Sequence, residues 1–265
     1  MVMMNVLIVG CGWVGTYVAT HLLEEGHRIW ATCTSIAKAE QLAQCGLMSH
    51  VVDFDVADGY PDVSGTVFDL VVVSVPITRR DARDVVERRF DRLCAFLNRL
   101  SFRQSIFFGS VGIYPKVSAV ITEDTFAADE LDDKLFRGES MLRSAFPDIN
   151  ILRLGGLFGL ERVIAKHFAG KVCEIGSETA NFVHVEDVYG IIRSMLMQGS
   201  RRKTYNVVCP EHPLKREVIE VSAVKYGYGL PAAFVDNHRT AKVVSPDRLL
   251  ADLGYRFIYR SPLHF

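Results

Sequence analysis

The strongest constraint on how this chain folds is a spacing of glycines near its start. In "VLIVGCGWVG", Gly10, Gly12 and Gly15 separate a β-branched apolar run at 6–10 from a stretch, Trp13 to Glu25, where Val14, Val18, Leu22 and Leu23 recur near helical spacing until Gly26 ends it. Strand, tight turn and helix therefore follow one another without a linker. In that context each glycine has its own task. The first permits the turn, the second lets backbone approach a pyrophosphate, and the third lets helix and strand pack closely. The helix N-terminus presents its N–H groups to the anion. The motif predicts a dinucleotide site formed by Gly10, Gly12, Trp13, Val14 and Gly15, with the small Cys11 incidental.

The same alternation continues downstream. Residues 28–34 read as a second strand, 37–46 as a helix, 50–55 as a third strand and 68–76 as a fourth. The fourth is continuously apolar from Leu70 to Val73, as expected of a central strand covered by helices on both faces. From Asp84 to Leu100 a stripe of Val86, Phe90, Leu93, Leu97 and Leu100 predicts a helix with one face on the sheet. The reading then expects a fifth strand at 105–110, a helix over 129–146 and a sixth strand at 149–159 ending in a glycine-rich bend. The later helices fall near 162–168, 214–226 and 246–253, with a strand at 204–208. The implied fold class is α/β, a Rossmann-type doubly wound parallel sheet with a smaller C-terminal substrate lobe. Its expected division is a dinucleotide-binding domain at 1–160, rejoined by 181–208, and a smaller lobe from 161–180 and 209–265.

Charge narrows the class of partner. The chain holds 30 basic and 31 acidic side chains, a net charge of -1, which supplies no field directed at nucleic acid or an anionic membrane. A small-molecule substrate is the default. Six scattered cysteines without a CxxC pair read as free thiols in a reducing compartment, and the opening "MVMMN" is too short for a signal peptide, so a cytoplasmic location is expected. No metal-ligand cluster is read from the sequence. The run 79–92, with six basic and four acidic residues, reads as a solvated helix face.

The choice of dinucleotide turns on the end of the second strand, where a carboxylate would bind a ribose 2′-hydroxyl and repel a 2′-phosphate. Here the window Thr32 to Ser35 carries hydroxyls and no acid, and Lys38 follows within a turn. Thr34, Ser35 and Lys38 therefore favour NADP over NAD, unless Lys38 is simply a solvated helix residue. Asp53 and Asp55 end the third strand, where Asp55 either receives the adenine amino group or belongs to a turn. Val75 and Pro76, after the fourth strand, fall where a cofactor ring would lie.

These segments in order resemble the atypical and extended short-chain dehydrogenase/reductase superfamily, specifically NAD(P)-dependent epimerase/dehydratases. "IFFGSVGIYP" is similar to their fifth-strand motif, "NILRLGGLFG" to their sixth strand and bend, "NFVHVEDVYGII" to their Phe-Val-His-Val-x-Asp-Val segment and "YNVVCPEHPLKREVIEVSA" to their late strand and helix. The resemblance implies a Ser that binds a substrate oxygen and a Tyr–Lys pair, four residues apart, that exchanges a proton with it. Ser110, four residues before Tyr114, matches the serine. The dyad is absent: Lys134 has Glu130 four residues before it, and the alternative register gives Leu131 and Leu135. The candidate catalytic residues are therefore Ser110, Tyr114 and Glu130. Against them stand a packed Tyr114 with a satisfied hydroxyl and a Glu130 serving its helix start, while His184 and Asp187 read as structural.

The implied activity is an NADP-linked oxidoreductase or epimerase acting on a small polar substrate such as a nucleotide sugar. A cofactor-binding sensor or scaffold without chemistry is the alternative, favoured by the missing dyad. A third reading comes from "VVVSVP", which resembles hydroxyacid and ketopantoate-type dehydrogenases and would require a mostly helical C-terminal third. The stripe at 86–100 is also a candidate surface for a homodimer.

Overall fold

The structure, a computed structural model, describes residues 2–56, 60–61, 65–235 and 241–265. From the start of the chain the elements are β1 (Asn5–Val9), α1 (Trp13–Glu24), β2 (Arg28–Cys33), α2 (Ile36–Gln44), β3 (Met48–Val51), β4 (Val67–Val73), α3 (Arg83–Leu97), β5 (Ser101–Ser110), β6 (Val120–Ile121), α4 (Asp133–Ala145) and β7 (Asn150–Leu154). There follow β8 (Gly156–Phe158), α5 (Ala165–Phe168), β9 (Val172–Cys173), β10 (Phe182–His184), α6 (Val185–Gln198), β11 (Thr204–Val207), α7 (Lys215–Tyr226), β12 (Ala233–Phe234), β13 (Val243–Val244) and α8 (Asp247–Leu253). Seven strands form the main sheet in the order β11-β7-β5-β4-β1-β2-β3. Parallel registers such as Val6 against Leu70 and Val6 against Ile29 put β1 between β4 and β2, the arrangement that strand–helix–strand crossovers produce. The fold is the expected α/β Rossmann type.

Two compact units divide the chain: Met1–Gly109, Asp132–Leu152 and Ile192–Thr204 make the first, and Ser110–Leu131, Arg153–Ile191 and Tyr205–Phe265 the second. In the first, β4 is buried from Leu70 through Val73 at 0% exposure, as its unbroken apolar run requires. On α3, Val86, Phe90, Leu93 and Leu97 are buried in one core with the sheet, Leu142 and Ile149. Burying each such side chain contributes about 1.5–3 kcal/mol, so the apolar stripe of α3 is consumed within its own chain. Gly138 of α4 lets that helix come close to α3, for a Cβ there would fall 2.4 Å from Ile77 Cδ1 and 3.1 Å from Phe90 Cε1. Among its described residues the second unit holds three parallel two-stranded sheets, β10 with β8, β12 with β9 and β13 with β6, beside its helices. It is therefore not the mostly helical unit that the hydroxyacid-dehydrogenase reading requires.

Several boundaries depart from the sequence reading for local reasons. β3 covers Met48–Val51 rather than 50–55, because Asp53 turns the chain by accepting the Asp55 N–H at 2.9 Å. β5 begins at Ser101, four residues early, through pairs with β4 such as Val67 with Ser101 and Phe68 with Phe102. The helix expected over 129–146 splits into a 3-10 turn at Ala128–Glu130 and α4, because Asp132 caps α4 by accepting the Leu135 N–H at 3.1 Å. No helix among the described residues is long and apolar enough to cross a membrane.

Candidate functional site

In the first unit the glycine turn separates three steric requirements. Gly10 adopts φ +81°, a left-handed conformation costly for other residues, and a Cβ there would lie 3.1 Å from the Ser74 carbonyl group and 3.2 Å from Val75 N. A Cβ at Gly15 would lie 3.0 Å from Ile8 Cγ2, so this glycine sets the approach of α1 to β1. Gly12 differs from both. It is exposed, and its added Cβ would meet only Gly10 O, at 3.9 Å. Among the described residues no neighbour explains a glycine there.

Gly12 is also the N-cap of α1 and gives no side-chain hydrogen bond, and the first turn holds no acidic residue. The positive end of a twelve-residue helix is thus left without an anionic or capping side chain of its own. Val14 is buried on the core side and Trp13 is half-buried. The turn is pinned from behind: Gly10 N donates to Thr32 Oγ1 at 3.0 Å and Cys11 N to Thr32 O at 2.6 Å. Thr32, counted in the sequence among the hydroxyls of the phosphate window, is therefore a buried brace. Burial pushes the neighbouring Cys11 thiol up to about 11.

Beyond β2, Thr34 and Ser35 are exposed, and Ser35 Oγ caps α2 by accepting the Lys38 N–H at 3.4 Å. Lys38 stands half-exposed in the first turn of α2. Val75 is buried and Pro76 exposed in the segment after β4 that closes on Gly10.

Asp55 has a partner that the sequence reading lacks. Both its carboxylate oxygens accept from Arg89, Nε and Nη2 each at 2.8 Å, while Arg89 Nη1 donates to Pro76 O at 2.9 Å and to Asp81 Oδ2 at 3.1 Å. Those hydrogen bonds, Asp55's first, raise the guanidinium pKa further above its ordinary value. Arg89 is only 9% exposed, so the charge run 79–92 is not uniformly a solvated face. Its neighbour Arg92 donates to the carbonyls of Phe54 and Asp55, at 3.0 and 2.6 Å. Together the two arginines tie the turn after β3 to the segment after β4.

The catalytic candidates Ser110, Tyr114 and Glu130 all belong to the second unit. Ser110 Oγ accepts the Gly112 N–H at 3.0 Å and caps the 3-10 turn Val111–Ile113. Tyr114 is 3% exposed; its hydroxyl donates to Asn206 Oδ1 at 2.6 Å and accepts from Arg153 Nη1 at 2.9 Å. Burial raises its pKa, the reverse of what a proton-exchanging tyrosine requires. Glu130 is exposed and accepts the Ala127 N–H at 2.8 Å, closing its own 3-10 turn. Among the described residues no hydrogen bond links any two of these three. Tyr114 and Glu130 thus occupy the packed and capping roles that stood against their catalysis. Lys134, in the first unit, is held by the carbonyls of Thr78, Arg79 and Asp81 at 3.3, 3.1 and 3.0 Å, which fixes the turn before α3.

The His184–Asp187 segment packs against the C-terminal loop. Asp187 is fully buried and accepts from Tyr255 Oη at 2.9 Å, Ile258 N at 2.8 Å and Tyr259 N at 3.1 Å, anchoring the C-terminal loop. His184 stacks on Tyr259 with ring centroids 3.7 Å apart, and burial lowers its pKa to about 4. Gly159, at φ +110°, leaves room for that ring, since a Cβ there would fall 2.2 Å from Nε2. The bend also borders an open cleft of about 630 Å³ in the second unit, lined by Phe158, Arg162, Val163, Lys166, His167 and Phe182.

One group is absent from the sequence reading altogether. Lys242 sends its ammonium to the carbonyls of Val111 and Tyr114, at 3.0 and 2.9 Å, in the loop that follows Ser110. Nothing in the local sequence marks it, because the carbonyls its ammonium reaches lie more than a hundred positions away.

No family model matches the chain. Protein YeeZ of Escherichia coli (strain K12) is 28% identical to it over 98% of each chain. Among solved structures, UDP-glucuronic acid 4-epimerase from Bacillus cereus, in complex with NAD, matches with a TM-score of 0.78 at 15% identity, covering 98% of this chain and 95% of that one. The human epimerase family protein SDR39U1, with NADPH, matches with a TM-score of 0.73 at 17% identity, covering 98% and 96%. These likenesses establish the fold, and the epimerase descriptions agree with the resemblance read from the sequence.

Proposed function

We propose that this chain is an NAD(P)-binding protein of the epimerase/dehydratase type, preferring NADP and acting on a small polar substrate such as a nucleotide sugar. The observation that carries the cofactor reading is Gly12, exposed at an uncapped helix start with no neighbour that forbids a side chain. Gly10, Gly12, Trp13, Val14 and Gly15 would hold the diphosphate, with Thr34, Ser35 and Lys38 toward a 2′-phosphate and Val75 and Pro76 beside the cofactor. NADP, when bound, supplies hydride-transfer chemistry. Asp55 keeps lone pairs for an adenine amino group although Arg89 engages it, and Arg89 fixes its orientation. Ser110 is the remaining candidate for binding a substrate oxygen, since its hydroxyl proton is not spent on accepting from Gly112.

A non-catalytic sensor is the second reading. Its support is that Tyr114, Glu130 and Lys134 are each engaged by other protein groups. Calorimetric titration of NAD and NADP into the wild type, Gly12→Trp and Lys38→Glu tests the cofactor reading. Gly12→Trp should abolish binding of both, and Lys38→Glu should weaken NADP about tenfold while leaving NAD unchanged, the loss of roughly one charge-assisted contact. If Lys38→Glu leaves NADP binding intact, the preference has no physical basis. A screen of sugar nucleotides for NADPH oxidation or epimer interconversion then separates enzyme from sensor.

A further inference from the structure

We propose that Lys116, Lys215 and Lys242, gathered around Glu178 in the second unit, bind the phosphate dianion of a small phosphorylated molecule. Lys215 Nζ lies 2.5 Å from Glu178 Oε2 and Lys116 Nζ 3.8 Å from Oε1. Lys242, whose ammonium donates to the carbonyls of Val111 and Tyr114, lies within electrostatic range of the same carboxylate and of both other lysines. Burial is the first cause, and that repulsion the second, that bring the Lys242 ammonium down to about 8. Glu178 is itself held below its ordinary value: burial works against this, but the hydrogen bond and charge of Lys215 prevail, helped by Lys116 and Lys242. Among the described residues, two ammonium groups thus pair with one carboxylate and a third lies in its field, an excess of two positive charges over Glu178.

Lys215 is the first residue of α7, whose first turn also holds Glu217, its carboxylate accepting the Leu214 N–H at 2.7 Å. Glu217 answers the positive helix end, and two penalties remain, clustered like charges and a half-buried ammonium. Both coincide here, and one bound dianion relieves them together. The frame is rigid. Lys215 N donates to Glu178 O at 2.9 Å, while the Lys242 carbonyl accepts from Thr179 Oγ1 and, at 2.8 Å, from Asn181 Nδ2. Compact ammonium groups suit the point-charge recognition of phosphate, and a phosphate monoester near neutral pH carries about -1.5 to -2, close to the local excess. A carboxylate would leave half of that excess uncompensated.

The binding itself is independent of the cofactor reading, and only its meaning as a substrate contact rests on that reading. The test titrates inorganic phosphate and, separately, ribose 5-phosphate into the full chain at pH 7, followed by calorimetry, with chloride at equal ionic strength as reference. Ribose 5-phosphate should bind saturably. Lys215→Met and Lys242→Met should each weaken it at least tenfold, Lys242→Arg should retain it, and Glu178→Gln should tighten it several-fold, a gain that misfolding cannot imitate. Lys171→Met, on an exposed lysine outside the cluster, should bind as the wild type. Gly12→Trp should also keep the phosphate response, so that failure of the cofactor cradle and failure of the lysine site are separable. An effect no larger than that of chloride, or wild-type binding by Lys215→Met and Lys242→Met, overturns the proposal. So does Glu178→Gln without a gain. Saturation by inorganic phosphate alone assigns the site to the free ion and equally overturns it.

Discussion

Alanine substitution of the three turn glycines separates ligand binding from folding. At Gly12 the new methyl would meet only Gly10 O, at 3.9 Å, and the exchange at an N-cap should cost about 0.5–1 kcal/mol. At Gly10, φ of +81° costs an L-residue about 1–2 kcal/mol. The methyl is also pressed to 3.1 Å from Ser74 backbone that cannot swing aside, adding about 1–3 kcal/mol. Gly10→Ala should therefore lose about 2–5 kcal/mol in total, a large part of a typical domain's stability. Gly15→Ala falls between, because crowding of Ile8 Cγ2 at 3.0 Å is offset by about 0.8–1 kcal/mol of improved helix propensity. Urea unfolding with unchanged m-values measures stability, and NADP calorimetry measures binding. The expected pattern is a nearly stable Gly12→Ala whose NADP affinity falls at least tenfold, which is about 1.4 kcal/mol, beside a Gly10→Ala destabilised before any ligand is added. The reasoning is refuted if Gly12→Ala binds NADP as the wild type does, or if Gly10→Ala proves the more stable of the two.

The other expectations concern the second unit. Tyr114→Phe removes a buried hydroxyl that serves Arg153 and Asn206, and should cost about 1–3 kcal/mol of stability with the NADP titration unmoved; a variant as stable as the wild type would contradict the observed hydrogen bonds. His184, at about 4 in the folded chain against about 6.5 when unfolded, takes up its proton earlier in the unfolded state. Its contribution is therefore whole above pH 6.5 and is lost as pH falls toward 4, a change of about 2–3 kcal/mol. Urea midpoints of wild type and His184→Phe, compared at pH 7 and pH 4.5, should show the wild type losing more on acidification, and equal losses would exclude His184 as the source.

What was legible in the sequence had a short-range physical signature. The glycine spacing marked a turn whose three positions the fold uses differently, and the apolar run at 70–73 marked a strand covered on both faces. Long-range polar pairing left no such mark. Arg89 sits in a run that looks solvated, yet its partner Asp55 lies 34 positions away, and only closure of the sheet brings the two together. Lys242 is a lone lysine in sequence and becomes part of a charge cluster only when Thr179 and Asn181 grip its carbonyl. Even local misreadings arose from side chains that compete with the backbone, as when Asp53 ends β3 early and Asp132 begins α4 late.

The missing Tyr–Lys pair takes on a sharper form with the side chains in place. A tyrosine that exchanges protons needs a nearby cation to favour its ionised form, and it needs a hydroxyl able to reach substrate. Tyr114 meets the first need in part, through Arg153, but burial outweighs that charge and the hydroxyl is occupied on both sides. Lys134 has an ammonium committed to three carbonyls. Lys242 likewise donates to two carbonyls, in the loop after Ser110, but burial favours its neutral form. Lys242→Arg separates its charge from proton exchange, because it keeps the charge for phosphate while removing an amine that can be neutral near pH 8. Retained ribose 5-phosphate binding with lost turnover of a substrate found by the screen would support proton transfer at Lys242; retention of both would leave the lysine an anion ligand alone.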